Sequence, residues 1–225
     1  MERYAVAVDG PSGAGKSTLA KSVAAELGIT YVDTGAIYRT IGYALYQRGI
    51  DPQDEETVAT LLPELAIDTK YGDDAIQHMY LNGEDVSEQI RLPEISMYAS
   101  AVSALPFVRA HLLEMQRRFA REQSVIMDGR DIGTVVLPDA EVKIFLTAEP
   151  EVRARRRWLE LRQRGTERPY EEVLAELIER DYNDSHRAAA PLKCADDAVV
   201  VDTSELTFEQ SREALLRVIK ERLEQ

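Results

Sequence analysis

The sequence predicts an α/β protein built on a parallel sheet, and three observations carry that reading. Residues 10–18 read GPSGAGKST and fit the spacing G-x-x-x-x-G-K-[ST], with Gly10, Gly15, Lys16 and Ser17 in the four defined places. A short apolar, β-branched run (residues 4–8, YAVAV) precedes this stretch, and a helical one (16–27, with Leu19, Val23 and Leu27 before Gly28) follows it. Short apolar runs then alternate with amphipathic helical patterns along most of the chain, which is the rhythm of βαβ units.

The glycine-rich stretch is a phosphate-binding loop. Glycines let the backbone turn so that several N–H groups face phosphate oxygens, a lysine reaches the terminal phosphates, and a small hydroxyl ligates Mg²⁺. Gly10, Pro11, Ser12, Gly13, Ala14, Gly15, Lys16, Ser17 and Thr18 are therefore the candidate nucleoside triphosphate site.

Composition bounds the rest. A chain of 225 residues with 44% hydrophobic content suits one well-buried α/β domain with an insert. A formal net charge of −13 argues against a general nucleic-acid or phosphoinositide surface, so any anion site must be local. The 27 basic residues are six lysines and 21 arginines, whose planar fork suits bidentate phosphate contacts. The one cysteine, Cys194, excludes an intramolecular disulfide and reads as a small, half-buried hydrophobe. His78, His111 and His186 lack ligand spacing. No charged-then-apolar leader and no membrane-length apolar run is present, so a cytosolic protein is expected.

After the first helix, residues 30–32 are a second strand running into Asp33-Thr34-Gly35, then a helix with Ile37, Ile41 and Leu45 on one face. Ligands collect at the carboxyl ends of strands in such sheets, which puts Asp33, Thr34, Tyr38 and Arg39 beside the phosphate loop. The same residues read equally well as helix caps and a surface arginine. From Gly49 to about Leu105 the rhythm changes: 54–66 looks helical, and 67–90 alternates polar and apolar with Asn82-Gly83 as a hairpin signal. This predicts a small antiparallel insert facing substrate, followed by helices over 93–104 and 106–121. Residues 124–127 (SVIM) form a strand ending in Asp128-Gly129-Arg130-Asp131, where Asp128 suits a Mg²⁺ or water partner.

A fourth strand covers 142–146, and Pro150 opens an arginine-dense helix. Of its arginines, Arg153 and Arg157 stand four apart on one face and are the candidates to stabilise charge on a transferred phosphoryl group. The alternative is a solvated face interleaved with Glu151, Glu160 and Glu167. Trp158 reads as a packing residue. Residues 170–187 read as a helix carrying Arg180, Asp184 and Arg187 on one face, as a site or as a surface salt-bridge stripe. The fifth strand is 198–201, and Phe208, Leu215, Ile219 and Leu223 mark the last helix.

Taken together, VDGPSGAGKST, DTGAIYR (33–39), EDVSEQIR (84–91), DGRDIGTVV (128–136) and the ERD…HRAAAPL stretch (179–192) resemble the bacterial cytidylate kinases, a branch of the nucleoside monophosphate kinases. The resemblance covers almost the whole chain. It implies a P-loop kinase fold: a five-stranded parallel sheet flanked by helices, with a small antiparallel β insert in the monophosphate-binding region and a short helical lid. The implied division is a core of 1–36, 122–150 and 190–225, a monophosphate-binding region of about 37–121, and a lid of about 151–170.

The resemblance also implies Mg²⁺-dependent transfer of the ATP γ-phosphoryl group to CMP and dCMP, in a cytoplasmic monomer that uses neither membrane nor nucleic acid. It places CMP against Thr34, Tyr38, Arg39, Ser100, Arg109, Arg130, Asp131, Arg180, Asp184 and Arg187. Arg39, Arg130 and Arg187 would hold the acceptor phosphate; Ser100, Arg109 and Asp131 would read cytosine; Arg180 and Asp184 would meet the ribose. Lys16, Arg130, Arg153 and Arg157 carry the catalytic assignment, and Ser17, Asp33 and Asp128 the metal assignment. The rivals are a kinase for UMP, AMP or a metabolite such as shikimate, and a nucleotide-dependent switch. A second phosphate cradle and the lack of an N-K-x-D motif weigh against the switch.

Overall fold

A computed structural model describes residues 3–72 and 76–224. The chain divides into two compact units, one of Met1–Tyr31 with Gln123–Gln225 and one of Val32–Glu122.

The first unit is built on the strand that feeds the phosphate loop. Strand β1 (Ala5–Asp9) is buried along its whole length and pairs in parallel with β6 (Val125–Gly129) on one side and β7 (Val142–Thr147) on the other. A near-continuous apolar run is what a strand covered on both faces requires. The register sets Asp9 opposite Gly129 and Phe145, so β1 and β6 end level while β7 runs on to Thr147. With β2 (Thr30–Asp33) and β8 (Val199–Asp202), the five-stranded sheet runs in the order β2-β6-β1-β7-β8. Helices α1 (Lys16–Leu27) and α8 (Phe208–Leu223) bury Leu19, Val23, Leu215 and Ile219 against Val6, Val8, Ile126, Ile144 and Leu146 of the sheet. Helices α6 (Pro150–Gln163) and α7 (Tyr170–His186) pack on each other in the same unit.

Gly10 leaves β1 where no other residue fits. Its φ is +148°, and a Cβ there would stand 1.9 Å from the Leu146 carbonyl oxygen of β7. The loop backbone can lie this close to the neighbouring strand because the side chain is absent.

The second unit contains α2 (Thr34–Arg48), α3 (Glu55–Leu61), a three-stranded antiparallel sheet of β3 (Ile67–Tyr71), β4 (Gln77–Leu81) and β5 (Glu84–Asp85), then α4 (Pro93–Ser103) and α5 (Pro106–Glu122). Its core gathers Ile37, Ile41, Leu45, Met79, Ile90, Val102 and Leu112. Asn82 and Gly83 join β4 to β5 with φ of 52° and 87°, the two positive values that a tight two-residue hairpin needs. Within the predicted 67–90 insert, residues 73–75 lie outside the described residues.

Three expectations need correction. The helix read over 54–66 ends at Leu61 and tightens into a 3₁₀ turn over Leu62–Glu64, because Pro63 has no N–H to continue the ladder. The strand read over 124–127 runs from Val125 to Gly129, and the chain passes through Arg130 and Asp131 into a π-helical turn, Ile132–Val136. Arg187 lies one residue beyond α7 with extended backbone, so it does not share a helical face with Arg180 and Asp184.

Helix α8 opens with a reciprocal cap: the Thr207 hydroxyl accepts from the Gln210 amide at 3.2 Å, and the Gln210 side chain accepts from the Thr207 amide at 2.9 Å. Thr207→Ala is expected to lower stability by about 1 kcal/mol, measured by urea unfolding.

Candidate active site

In the first unit the phosphate loop is shaped by positive φ at Gly10, Gly13 and Gly15, and Gly15 delivers the chain into α1. Lys16 is buried, with its ammonium donating to the Pro11 carbonyl at 2.7 Å, so it lies folded along the loop it serves. Burial, and then the neighbouring Arg130, push its pKa well below the usual lysine range against the opposing pull of Asp128 and Asp9; Arg180 adds to the lowering. An ammonium held under that pressure gains sharply from an anion placed beside it.

Ser17 and Asp128 meet: the Ser17 hydroxyl donates to Asp128 Oδ2 at 2.7 Å, and Tyr31 donates to Oδ1 at 3.0 Å. Ala14 and Pro11 are buried, while Ser17 and Thr18 open to solvent at the start of α1. Asp128 itself is buried at the end of β6, where strand register fixes it one residue before the level of Asp9.

The arginines named from sequence are gathered by acids from elsewhere in the chain. Arg130 donates from Nε to Asp184 Oδ2 at 2.8 Å. Arg187 reaches Asp131 at 3.5 Å, both side chains being almost wholly buried, and its Nε donates to the Ala190 carbonyl at 2.8 Å. Arg180 adds its charge near Asp184. Asp184 is buried, which alone raises its pKa; Arg130, Arg180 and Arg187 outweigh that effect and hold it below the ordinary carboxylate value.

Arg153 and Arg157 part company. Arg153 is 4% exposed and donates to the Ala148 carbonyl (2.7 Å), the Ser12 carbonyl of the phosphate loop (2.9 Å) and Asp181 (2.6 Å). It ties α6 and α7 to the loop. Arg157 is more open and forms a short-range pair with Glu160 at 2.9 Å. Trp158 donates to the Arg168 carbonyl at 2.9 Å with Arg162 over its ring, which packs α6 against the segment that leads into α7.

The second unit holds the other named residues. Asp33 caps α2 by accepting from the Ala36 amide at 2.9 Å with one oxygen, and takes Arg39 at 2.7 Å with the other. Gln77 brackets the Asp33 backbone, its oxygen accepting from the Asp33 amide at 2.7 Å. The Arg109 guanidinium lies over the Tyr38 ring at 5.5 Å and donates to the Ser103 carbonyl at 3.0 Å, one helical turn beyond Ser100. Thr34 is buried in the first turn of α2. Burial, with the Asp33 charge second, raises the Tyr71 phenol above its normal range.

Sequence reasoning missed Asp9, Gln77 and Asp181. Asp9 is 5% exposed, and its two carboxylate oxygens accept from the amides of Ile132 and Gly133, each at 2.7 Å. Its place as the last residue of an apolar strand was the available signal.

A parallel sheet whose central strand enters a glycine-rich phosphate loop, with a buried lysine and a serine–aspartate pair at the loop's exit, defines the P-loop kinases, a class of ATP-dependent phosphotransferases. The chain belongs to the cytidylate kinase family, whose model matches residues 6–221. The cytidylate kinase of Caldicellulosiruptor bescii is 47% identical over 218 residues, covering 97% of this chain and 96% of that protein. That of Fervidobacterium nodosum is 48% identical over 217 residues and covers 96% of each. A solved structure of an uncharacterized protein from Eubacterium ventriosum shares the fold with a TM-score of 0.53 at 12% identity, over 97% of this chain and 99% of that one.

The depressed pKa of Asp184 has a pH signature. A carboxyl whose native pKa lies below its unfolded value stabilises the fold above the unfolded pKa of about 4, and that contribution is lost as pH falls through the native value. Asp184→Asn is therefore expected to be less stable than the parent at pH 7, with the gap narrowing below about pH 4 in urea unfolding series.

Proposed function

We propose that the chain transfers the γ-phosphoryl group of ATP to the 5′-phosphate of CMP, and of dCMP, giving ADP and CDP or dCDP in pyrimidine nucleotide metabolism. The observation that carries this reading is the arginine cluster at the end of β6, with Arg130, Arg180 and Arg187 collected around Asp184 and Asp131 in the unit that also carries the phosphate loop. A protein that only senses a triphosphate has no use for this second concentration of positive charge. Family membership along nearly the full chain supports CMP as the acceptor.

In the reaction an acceptor phosphate oxygen attacks the γ-phosphorus, the bond to the β–γ bridging oxygen breaks, and ADP leaves with that electron pair. Positioning and charge neutralisation carry the rate, since the acceptor is already a competent nucleophile near neutral pH. The loop amides and Lys16 hold the triphosphate of ATP. In the first unit Arg130 and Arg187 take the acceptor phosphate, Asp131 the base, and Arg180 and Asp184 the ribose; in the second, Thr34, Tyr38, Arg39, Ser100 and Arg109 keep the CMP-binding roles that the resemblance implies. Arg157 is the freer of the two α6 arginines to move onto the transferred group, while Arg153 holds the loop through Ser12.

The donor set fits Mg²⁺. Ser17 and Asp128 offer one hydroxyl and one carboxylate, and among the described residues no group of three or more His, Cys, Asp or Glu side chains forms an all-protein cage. This is the sparse arrangement expected when a hard cation shares its shell with substrate phosphates and water. Bound Mg²⁺ would neutralise charge developing on the phosphate oxygens. Asp128 is favoured over Asp33 because it meets the Ser17 hydroxyl at the phosphate loop, whereas the Asp33 oxygens serve Ala36 and Arg39 of α2.

No helix among the described residues is long and apolar enough to cross a membrane. We place the enzyme in the cytoplasm as a monomer acting on ATP and CMP without nucleic acid.

ATP consumption measured against CMP, dCMP, UMP, AMP and shikimate is expected to rise with the first two alone; no stimulation by CMP defeats the proposal. Arg130→Ala is expected to raise the CMP KM by about tenfold or more with little change in ATP affinity, because the lost partner is the acceptor phosphate. Equal loss of both affinities, read by kinetics and ADP titration, contradicts that role.

A further inference from the structure

We infer that Asp9 is a positioning residue for the acceptor half of the reaction: it holds the backbone that follows Arg130 and Asp131 and so fixes where those two side chains start. The inference rests on the reading of Arg130 and Asp131 as acceptor-side residues.

Asp9 ends β1, and its carboxylate crosses to β6's continuation, accepting from Ile132 and Gly133 at 2.7 Å each. These are the first two residues of the π-helical turn Ile132–Val136, whose own ladder serves later amides: Val135 and Val136 donate to the Asp131 carbonyl, and Leu137 to that of Ile132. The opening amides of a helical turn have no partner within it. Asp9 supplies both partners from a neighbouring strand, a two-point clamp on a segment that begins one residue after Asp131. Arg130 and Asp131 are held at their tips by Asp184 and Arg187. Asp9 holds their backbone end.

The clamp is close-fitting. A Cβ at position 133 would stand 3.2 Å from Lys143 Cδ and 3.4 Å from Asp9 Oδ2, so the amide approaches the carboxylate through space that a side chain would crowd. The clamp also works against stability. Burial raises the Asp9 pKa to about 6, the two amide bonds oppose it, the Asp131 charge adds to it and Lys16 opposes it; Cys194 also feels the Asp9 charge. An acid with a native pKa above its unfolded value binds its proton more tightly when folded, so it costs stability as pH rises from about 4 to 6 and the cost persists above. A purely structural acceptor pair would be served more cheaply by neutral groups.

The test is Asp9→Asn, which keeps the shape but turns one acceptor into a donor facing an amide. With the parent and variant at pH 7.5, CMP KM is expected to rise about tenfold or more, ATP KM to stay within about threefold, and the melting temperature to hold within about 3 °C. Amide hydrogen exchange at Ile132 and Gly133 is expected to quicken. An unchanged CMP KM overturns the inference, and so do parallel rises in both KM values with a fall in melting temperature, which mark a general structural role. If the parent shows no CMP-dependent turnover, the reading of the reaction fails; the exchange measurement then decides this inference alone, and unchanged protection at the two amides overturns it. Should Asp9→Asn not fold, Asp9→Ser, smaller and neutral, is carried through the same measurements.

Discussion

Concentrated positive charge is what this protein must hold together. Lys16, Arg130, Arg180 and Arg187 act on one another or on the same acids within the first unit, and left alone such groups repel. The fold answers by giving particular cations particular carboxylates: Asp184 for Arg130, Asp131 for Arg187, and Asp181 for Arg153. Each acid fixes a direction as well as a charge, since a guanidinium fork held through one edge presents the other. The buried pairs are consequently worth more as orientation than as stability, because desolvation consumes most of their attraction.

That constraint explains why the sheet matters to the chemistry. Parallel pairing of β1 with β6 brings their two ends level, so Asp9, Asp128 and Gly129 arrive together without a long loop. Gly10 then turns against the Leu146 carbonyl with no room for a side chain. The phosphate loop and the Ser17–Asp128 pair are thus placed by backbone register, and the Asp9 carboxylate carries that register into the turn after β6.

Much of this was legible in sequence where the interaction is local. The phosphate loop, the Asn82-Gly83 hairpin and the helix at Pro150 each depend on residues within a few positions of one another. Pro63 was equally local, and the helical periodicity around it masked its effect. The pairings that organise the site are a different matter: Arg130 with Asp184 spans 54 positions and Asp9 with Ile132 spans 123. Periodicity on α7 offered a stripe of Arg180, Asp184 and Arg187, an arrangement that surface ion pairs imitate. Asp184 instead takes a partner from β6's end, and Arg187 leaves the helix altogether to find Asp131. Arg153 and Arg157 share a spacing that no sequence argument separates; burial against Ser12 and Asp181 separates them.

The net charge of −13 sharpens the picture. At ionic strengths near those of cells the field of scattered surface acids is screened within about 8 Å, so an anionic substrate meets that repulsion only near the surface. Inside the site the balance reverses, because buried cations act through a lower effective dielectric and with little solvent between them and a phosphate. Lys16 shows the reversal: burial and Arg130 disfavour its charge before substrate arrives, and an incoming phosphate relieves that penalty. Asp9 carries a strain of the opposite sign beside it, an acid raised by the same burial and kept ionised by two amides and by Lys16. Lys16 and Asp9 also act on one another, but burial and other neighbours outweigh that interaction at both, so the ammonium stays with the phosphate loop and the carboxylate with the turn after β6.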